Sequence, residues 1–329
     1  MPKNSLKIGL IGCGAMGEKR LEAVLRTKLG KIAYLFDPNP ERAKRLAKKF
    51  KAETVPLADA IWETCDIGIV ATPHAFLAPN ALAGLTKRRF VLVEKPGAMG
   101  RAELERLCQP RCKIGYNHRF HPAARLLAKE IDSPLWIRAA YGHGGRPGYE
   151  DEWRMQTALS GGGEILDQGV HLLDLASYWL KEPLIKVAAV RQNAFYRSTE
   201  EDNGFLLLKS KTGILVTLHC SATQWKNLFR VEIGCKNDLW IWEGLGTENY
   251  GGERLIRYRR NPEGGKPDEQ TQVFPNASQV SWDEEWKHFY GHATGEVKEV
   301  ESTPHDSLGL FECLESVYNE RILKMERDE

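Results

Sequence analysis

Two short motifs carry residues that could move a proton. Glu94-Lys95-Pro96 follows the apolar run 90–93, and groups at the carboxyl end of a buried parallel strand face the ligand-binding edge of an α/β sheet. Asp167, His171 and Asp174 are spaced i, i+4 and i+7, which places them on one helical face. A carboxylate one turn from an imidazole can orient it and tune its proton affinity near neutral pH. Two plainer interpretations stay open, a surface lysine in a loop and a hydrogen-bonded His–Asp pair without chemistry.

A glycine-rich hexapeptide near the amino terminus has the spacing of a dinucleotide-binding turn. Its residues are Gly12, Cys13, Gly14, Ala15, Met16 and Gly17. The hexapeptide follows a predicted strand, 6–11, and opens a predicted helix, 15–29, which is the context that gives G-x-G-x-x-G its meaning. Its glycines permit the tight turn, the approach of the backbone to a pyrophosphate, and close helix–strand packing. The pyrophosphate would lie at the helix N-terminus, which favours an anion. The alternative is a glycine-rich turn with no ligand.

Asp37 bears on the choice between the two nicotinamide dinucleotides. It lies 20 residues after Gly17, at the end of the second predicted strand. A carboxylate there accepts hydrogen bonds from the adenosine ribose of NAD and repels the extra phosphate of NADP. The sequence therefore favours NAD over NADP. Arg42 and the neighbouring lysines support the opposite choice, because they could reach a phosphate, and Asp37 could also be a plain turn residue before Pro38.

A strip of polar, aromatic and glycine residues, 141–149, precedes the helix that carries Asp167. Its composition differs from that of a core segment, and we expect it to line a substrate pocket. The candidates for contact with hydroxyl or phosphate groups of a substrate are Arg146, Tyr149, Trp153 and Arg154. An ordinary long surface loop is the alternative.

The pattern of predicted helices and strands around these motifs changes near residue 120. Before it, strands that are apolar throughout alternate with helices, which is typical of a parallel sheet covered on both faces. After it, a strong helix over 163–180 leads into successive strands without intervening helices, which indicates an antiparallel sheet with one exposed face. The sequence also predicts a loop over 260–279 and closing helices near 282–291 and 304–325.

Composition narrows the class of protein. The chain has 329 residues, 42% hydrophobic and 27% charged, with a net charge of +2, so we expect two domains and no nucleic-acid partner. The basic cluster 44–51 is interpreted as a solvated helix face. No apolar run approaches the roughly 20 residues that cross a bilayer, and residues 1–12 leave no room for a signal peptide. Seven scattered cysteines fit reduced thiols in the cytoplasm. Neither Cys108 with Cys112 nor His171 with Asp174 has the partners of a metal site, so none is predicted.

Taken together, these motifs resemble the Gfo/Idh/MocA oxidoreductases. The matching segments are GCGAMG at 12–17, ATP at 71–73, VEKP at 93–96, YNHRFHPA at 116–123 and GGGEILDQGVHLLDLASYWL at 161–180. The resemblance implies a Rossmann domain, 1–118, that binds NAD(P). It further implies an α/β domain, 119–329, with a large, mostly antiparallel, open-faced sheet for substrate binding and oligomerisation, hence a homodimer or homotetramer.

The resemblance also assigns roles to single residues. Catalytic positions fall on Lys95, Asp167 and His171, and Asn117 is placed near the nicotinamide and the substrate. Beside the glycine turn and Asp37, the cofactor-binding residues it implies are Ala71, Thr72, Pro73, His74, Glu94, Lys95 and Asn117. Relatives often have a cis bond in the lysine–proline pair, so a cis bond before Pro96 is predicted.

The resulting hypothesis is reversible oxidation of a secondary alcohol on a sugar, polyol or sugar derivative. His171 would take the hydroxyl proton, Asp167 would hold or tune the ring, and Lys95 would donate a hydrogen bond to the oxygen as it becomes a carbonyl. Lys95 as the proton-transfer group is the rival assignment. Two other functions stay open on this scaffold, an NAD-dependent glycosidase and a non-catalytic dinucleotide or sugar sensor.

Overall fold

The short apolar segments of the first third build a parallel sheet. The computed structural model describes residues 5–325. The strands of this sheet are β1 (Lys7–Ile11), β2 (Lys31–Phe36), β3 (Glu53–Thr54), β4 (Ile67–Val70), β5 (Phe90–Glu94) and β6 (Cys112–Gly115). All neighbours are parallel, in the order β3-β2-β1-β4-β5-β6. The strand order reverses between β1 and β4, and ligands of open α/β sheets bind at the carboxyl ends of the strands beside such a point.

Helices connect these strands. They are α1 (Ala15–Thr27), α2 (Pro40–Phe50), α3 (Asp59–Thr64), α4 (Leu77–Thr86) and α5 (Arg101–Arg106). Asn39 caps α2, since its side chain accepts hydrogen bonds from the backbone N–H groups of Glu41 and Arg42. The basic residues of α2 are exposed while Leu46 and Phe50 are buried, which confirms the interpretation of this cluster as a solvated helix face.

A second, larger sheet is mixed. Its strands are β7 (Pro134–Gly142), β8 (Leu184–Asn193), β9 (Asn203–Ser210), β10 (Leu215–Ser221), β11 (Leu228–Cys235), β12 (Asp238–Glu243), β13 (Glu253–Arg259), β14 (Asp268–Phe274) and β15 (Ile322–Lys324). They are ordered β14-β13-β12-β11-β7-β10-β9-β8-β15. The neighbours are antiparallel except β7–β10 and β8–β15, which are parallel. The prediction of a parallel sheet plus a mostly antiparallel one is confirmed.

One face of this second sheet is covered and the other is bare. The remaining helices are α6 (Pro122–Glu130), α7 (Thr157–Ser160), α8 (Val170–Leu180), α9 (Ala277–Thr294) and α10 (Leu308–Tyr318). In β9, Leu206 and Leu208 are buried, whereas Phe205 and Lys209 on either side of them are exposed and Leu207 between them is half-buried. This period of two is the signature of a sheet with one solvated face.

Two sequence predictions at the end of the chain were wrong. The predicted loop over 260–279 contains β14, which is exposed along nearly all its length. An edge strand of this kind lacks the apolar alternation from which a strand is predicted. The predicted helix over 304–325 ends at Tyr318, and β15 follows by adding to the edge strand β8. In both places pairing with a neighbouring strand, rather than local sequence, decides the structure.

The described chain divides into two compact units. The first contains the residues up to Asn117 together with Trp282–Leu308, and the second contains His118–Ser281 and the residues from Gly309 onward. Residues 282–308 return to the first unit because Trp286 and Phe289 enter its apolar core. The domain limits 1–118 and 119–329 stay a prediction, and they did not include this return. Among the described residues, no helix has the length and apolar character to cross a membrane.

Candidate active site

The glycine turn between β1 and α1 has one glycine that faces no protein group. Gly12 has φ +98°, in the left-handed region that favours glycine, and a β-carbon there would overlap the carbonyl of Ala71. A β-carbon at Gly17 would overlap the carbonyl oxygen of Gly12. At Gly14, by contrast, a β-carbon would meet no atom of residues 5–325 within 4 Å. Packing therefore requires the two outer glycines, while the middle one borders open space.

Asp37 is fixed on the same turn. Its Oδ2 accepts a hydrogen bond from the backbone N of Cys13 at 2.8 Å, and its Oδ1 accepts one from the backbone N of Asn39 at 2.8 Å. A carboxylate oxygen has two lone pairs, so both oxygens keep capacity to accept from ribose hydroxyls. The first N–H groups of α1 lie beside Gly14 and have no side-chain cap, which is an arrangement suited to a pyrophosphate. These residues fit a bound NAD.

Cys13 is a structural thiol. It is buried, and its Sγ lies 3.6 Å from the carbonyl oxygen of Phe36. Burial and then the charge of Asp37 raise its pKa to about 12, so the thiol is protonated and unreactive at neutral pH. Its place in the turn, like that of Ala15 and Met16 at the start of α1, supports a backbone role toward a cofactor.

The segment after β4 lies directly against the glycine turn. The carbonyl of Ala71 is the group that abuts Gly12, and His74 is buried at the start of a short 3-10 turn, His74–Phe76. Oγ1 of Thr72 is buried and has no hydrogen-bond partner within residues 5–325. Buried hydroxyl groups are normally paired, so a polar group of a ligand could form the hydrogen bond that the Thr72 hydroxyl lacks within these residues.

Lys95 lies at the same edge of the first sheet. It follows directly on Glu94, the last residue of β5, and it is partly exposed. The peptide bond between Lys95 and Pro96 is cis, as predicted. Asn117, which follows β6, is buried at the start of another short 3-10 turn. The carboxyl ends of β1, β4, β5 and β6 thus present the glycine turn, Thr72, Lys95 and Asn117 along one edge.

Glu94 is engaged within the protein. It is buried, and its Oε1 accepts a hydrogen bond from Nε of Arg20 at 2.5 Å. Arg20 also pairs with Glu285 of α9, whose carboxylate lies 3.4 Å from Nζ of Lys113. Burial opposes the charge of Arg20, but the two carboxylates outweigh it and raise its pKa. The network ties the residue before Lys95 to α1 and α9, and a direct cofactor contact of Glu94 stays a prediction. Sequence reasoning missed this network of charged residues because they lie far apart in the chain.

A second glycine-rich turn, Gly161 to Gly163, opens the helix that carries Asp167 and His171. Gly161 has φ +74°. A β-carbon at Gly162 would overlap the hydroxyl of Tyr318, and one at Gly163 would overlap the carbonyl oxygen of Glu201. These glycines therefore allow the close approach of other parts of the same unit.

The carboxylate of Glu201 holds the start of this helix. It is buried, and its Oε1 accepts hydrogen bonds from the backbone N of Gly163 at 3.1 Å and of Ile165 at 3.3 Å. Tyr318 donates to the same oxygen at 2.8 Å, and Arg191 donates to Oε2 at 2.9 Å. Burial raises the pKa of Glu201, although Arg191 and Tyr318 act in the opposite direction. The carboxylate satisfies N–H groups that a helix start leaves without a partner inside the helix.

The continuous helix predicted over 163–180 is interrupted by a π-helical turn, Ile165–Gly169, and α8 begins only at Val170. Asp167 lies in this wider turn, so the regular i, i+4, i+7 spacing does not describe it. Its Oδ2 accepts a hydrogen bond from Nε of Arg154 at 3.0 Å. Burial opposes the charge of Arg154, but Asp167 outweighs it and raises the pKa of that guanidinium. Single π turns in helices are frequent at functional sites.

Asp174 pairs with an arginine from the preceding motif. Arg119 donates from Nε at 2.8 Å and from a terminal nitrogen at 2.5 Å to the two oxygens of Asp174, and both side chains are buried. His121 contacts Glu253 in the same unit, and Glu253 also accepts from the backbone N of Ala123 at 2.8 Å. The segment 118–123 therefore anchors α8 and β13, a structural role that its sequence alone did not reveal.

His171 lies in the first turn of α8 among aromatic rings. Its ring centroid is 4.0 Å from that of His118 and 6.1 Å from that of Tyr141. Burial, followed by the neighbouring Tyr250 and Asp167, raises the pKa of Tyr141 well above its usual value, so its phenol stays protonated. The structure thus places an imidazole, a phenol and the Asp167 carboxylate in one region of the second unit.

The four residues predicted to contact substrate, two in the strip and two just after it, lie in different surroundings. Arg146 is exposed and pairs with Glu152 at 2.6 Å, whereas Tyr149 is buried in a small apolar cluster. The guanidinium of Arg154 lies 4.6 Å from the ring centroid of Trp153 while it contacts Asp167. Arg154 thus contacts a predicted catalytic residue, whereas the buried Tyr149 packs against Met155 and Tyr196.

Glu164 is a buried carboxylate that the sequence analysis missed. Its Oε1 accepts a hydrogen bond from the hydroxyl of Tyr149 at 2.7 Å and lies 3.4 Å from Nε2 of His143. Its Oε2 is buried without a hydrogen-bond partner in the described residues. Burial and the charge of Glu164 raise the pKa of Tyr149. A glutamate directly after the glycines, within an otherwise apolar helix start, was the available signal.

The cysteines and acidic residues of the described chain were candidates for a metal site. All seven cysteines are free. In the part of the chain that the structure describes, no group of three or more His, Cys, Asp or Glu side chains is arranged to hold a metal ion.

A parallel sheet with a glycine turn and an aspartate beside its switch point defines a dinucleotide-binding protein. Comparison with known families gives the particular group. Residues 6–113 match the family described as "Oxidoreductase family, NAD-binding Rossmann fold", and residues 123–238 match the "GFO/IDH/MocA C-terminal domain". The two matches together cover more than half of the 329 residues. The chain therefore belongs to the Gfo/Idh/MocA family of oxidoreductases, as its motifs predicted.

Similar proteins are named for several sugars and polyols. An inositol 2-dehydrogenase of Acidothermus cellulolyticus is 28% identical over 237 residues, which are 66% of this chain and 66% of that protein. A dTDP-3,4-didehydro-2,6-dideoxy-alpha-D-glucose 3-reductase of Actinomadura kijaniata is 30% identical over 231 residues, 65% of this chain and 68% of that one. The aligned segments span about two thirds of these relatives' lengths. A solved levoglucosan dehydrogenase in complex with NADH shares the fold, with a TM-score of 0.83 at 18% identity over 96% of this chain and 98% of that chain.

Proposed function

We propose that this chain is an NAD-dependent dehydrogenase that acts on a secondary alcohol of a sugar, a polyol or a sugar derivative. The observation that carries the proposal is the glycine turn, where Gly14 faces no protein group and Asp37 is held by the backbone of Cys13. A carboxylate in that position favours NAD over NADP because it repels a 2′-phosphate. The substrate class is supported by relatives named for inositol and for a dTDP-linked sugar.

The proposed chemistry moves one proton at the alcohol oxygen. His171 takes the hydroxyl proton, while Asp167, held by Arg154, favours the protonated imidazole. Lys95 donates a hydrogen bond to the oxygen and stabilises the charge that develops before the carbonyl forms. Bound NAD supplies the hydride acceptor. Because each of these residues has a plain structural alternative, the roles are tested individually.

The first experiment measures dinucleotide binding and turnover. Calorimetric titration with NAD and with NADP is followed by a screen of inositols, hexoses, glycosides and nucleotide sugars for NADH formation at 340 nm. We expect tighter binding of NAD and turnover on a member of this set. Tight binding with hydrolysis of a glycoside but no NADH would replace the proposal with a glycosidase, and binding without any reaction would favour a sensor. Failure to bind either dinucleotide would refute the proposal at its base.

The second experiment separates the roles of Lys95 and His171. The variants Lys95→Ala and His171→Ala are compared by pH–rate profiles, with the exposed Lys48→Ala and His305→Ala as matched controls. Removal of the proton-transfer group should abolish the limb of the profile that reports its ionisation, with a loss of about 10²–10⁴ in kcat. Loss of that limb in Lys95→Ala alone would make lysine the base. Near-normal kcat in both variants would remove the scheme.

We further propose that the bare face of the second sheet forms a homodimer or homotetramer contact. Exposed apolar side chains lie on its β8, β9 and β10 strands, namely Ile185, Val187, Val190, Phe205 and Leu215. Contiguous exposed apolar patches of this kind mark interaction surfaces. Sedimentation velocity of the wild type and of Phe205→Glu tests the proposal, since the charge should dissociate the assembly. A monomeric wild type would refute it.

A cytoplasmic location is the last part of the proposal. It is supported by the seven free cysteines, which are typical of a reducing compartment. Fractionation of expressing cells with an antibody to the chain tests it, and recovery outside the cytoplasmic fraction would contradict it.

A further inference from the structure

Three loops of the second unit lie along one edge of its sheet. Strands β7 and β10 are parallel, and β8 runs in the same direction because β9 is antiparallel to both β8 and β10. All three strands therefore end at the same edge. The loops that follow them are 143–149, 194–202 and 222–227. The first of these loops is part of the strip 141–149.

The turn that carries Asp167 lies at this same edge. A β-carbon at Gly169 would lie 3.1 Å from Sγ of Cys220, the residue before the end of β10. A β-carbon at Gly204, near the start of β9, would lie 2.7 Å from Cδ1 of Ile165. The π-helical turn is therefore packed where the three loops begin. The three loops therefore begin beside the turn that carries Asp167.

Two of the loops present an exposed aromatic pair. Phe195 is 55% exposed and Trp225 is 64% exposed, and their ring centroids are 5.0 Å apart at an interplanar angle of 75°. Trp225 also borders the strip, since a β-carbon on Gly144 would lie 3.4 Å from its ring. When a ligand ring covers large apolar rings that were open to water, the burial of this surface favours binding.

The loops that carry this pair are held in place by hydrogen bonds. The carboxylate of Asp202 accepts from the backbone N of Ala194, Phe195 and Tyr196 at 2.7–2.8 Å. The loop 222–227 is joined to the loop 143–149, since the backbone N of Gln224 donates a hydrogen bond to the carbonyl of His143 at 3.0 Å. A surface that is already ordered loses little entropy when a ligand binds. Exposed rings on ordered loops are thus favourable binding elements.

We infer that Phe195 and Trp225 form a subsite, the aromatic rim, for a second ring that the substrate carries on its anomeric oxygen. The inference rests on the proposed function and deepens it, because it names the substrate as a glycoside rather than a free monosaccharide or inositol. The ring is a pyranose, an aryl group or a nucleobase, which all present a flat apolar face to an aromatic side chain. The rim contacts this ring only, and the sugar that is oxidised lies at Asp167 and His171.

The test compares matched glycosides. With the sugar found by the NADH screen, kcat/KM is measured for its methyl, phenyl and glucosyl glycosides and for its UDP derivative, in wild type, Phe195→Ala and Trp225→Ala. Leu57→Ala, an exposed apolar residue of the first unit (66% exposed), is the control. We expect kcat/KM for the ring-bearing substrates to fall about tenfold in Trp225→Ala, as for the loss of one stacking contact. The value for the methyl glycoside should stay within twofold. Whichever ring-bearing substrate loses most identifies the natural ring.

Two outcomes would overturn the inference. Equal kcat/KM for all glycosides in wild type and Trp225→Ala would show that the rim touches no substrate, while the proposed dehydrogenase stands. A change of sedimentation coefficient in Trp225→Ala would show that the rim is a contact between copies of the chain. If the wild type oxidises no sugar, the proposed function fails, but calorimetric binding of phenyl and methyl β-D-glucopyranoside in the presence of NAD still tests the rim. Binding of the phenyl compound that Trp225→Ala loses would support it, and equal binding by both proteins would refute it.

Discussion

The two glycine-rich turns of this protein precede helices and look alike in sequence, yet their surroundings are opposite. In the first turn, Gly14 borders space that no atom of the described chain enters. In the second, Gly162 and Gly163 are closed off by the hydroxyl of Tyr318 and the backbone of Glu201. The first helix start is left for an anion, whereas the second already has the carboxylate of Glu201 on its N–H groups.

This difference separates binding from positioning. A glycine that faces a ligand can be changed without harm to folding, but a glycine that faces protein cannot. We therefore expect the first turn to control the affinity for the dinucleotide, and the second to control where Asp167 and His171 lie. The following substitutions test this division in order of expected effect.

The largest effect is expected for Gly163→Ala. The new methyl group would overlap the carbonyl oxygen of Glu201, which is backbone and cannot rotate away. We expect a loss of about 3 kcal/mol in the free energy of unfolding, the upper range for overpacking. Urea denaturation followed by circular dichroism measures it. An unchanged midpoint would show that the second turn has room, and the contrast between the turns would disappear.

Asp167→Asn comes next. The substitution keeps the shape of the side chain but removes the charge that Arg154 contacts and to which the proposed mechanism assigns the tuning of His171. We expect kcat to fall about a hundredfold, within the range of general acid–base contributions, with the affinity for NAD unchanged. Steady-state kinetics and calorimetry of the same preparation decide it. A parallel loss of NAD affinity would mean that Asp167 also serves the dinucleotide.

Gly14→Ala should affect binding alone. A β-carbon at this position meets no described atom within 4 Å, so the thermal midpoint should stay within the usual scatter of surface substitutions. The dissociation constant for NAD should rise about tenfold, which corresponds to about 1.4 kcal/mol of lost close approach. Calorimetry gives the constant and differential scanning calorimetry gives the midpoint. A marked loss of stability with unchanged NAD affinity would reverse the assignment.

A smaller change is expected for Asp37→Ser. The hydroxyl is shorter and neutral, so repulsion of a 2′-phosphate is removed along with part of the hydrogen bonding to the ribose. The ratio of the NADP to the NAD dissociation constant should fall about fivefold to tenfold. Titration with both dinucleotides measures it. A ratio equal to that of the wild type would show that another residue, such as Arg42, sets the preference.

The smallest effect concerns the two buried thiols beside the turns. Cys13 in the first turn and Cys220, which lies against Gly169 of the π-helical turn that follows the second, are both buried, and burial raises the pKa of each thiol. Iodoacetamide at neutral pH should therefore leave both unlabelled in the native protein, while the partly exposed Cys108 reacts first. Peptide mass spectrometry reads the result. Early labelling of Cys13 or Cys220 would indicate that the turn opens in solution.

Sequence patterns predicted the elements whose structure is determined by residues close together in the chain. The parallel sheet, the glycine turn and Asp37 were predicted because apolar strands and glycine spacing are properties of neighbouring residues. The cis bond before Pro96 followed from the family resemblance. By contrast, β14 was missed because both of its faces are exposed, and the end of α10 was missed because β15 is made by pairing with β8.

The candidate site shows the same limit more sharply. Lys95, Asp167 and His171 were named from motifs, but the partners that hold them were not. Arg20 is 74 residues from Glu94, and Arg154 contacts Asp167 within the π-helical turn Ile165–Gly169, which the sequence did not predict. Nothing in the local sequence says which buried arginine will meet which carboxylate.

By itself, the sequence determined the class of fold, the dinucleotide turn and the residue types available for proton transfer, since these depend on spacing along the chain. Only the tertiary structure decided which glycines face protein and which face open space. It also decided that residues 282–308 complete the first unit, and that Glu164, Glu201 and Asp202 order the edge that carries Asp167 and the aromatic rim. The reason is physical: burial and hydrogen bonding of charged groups depend on contacts between residues distant in the chain, and these exist only once the elements have packed.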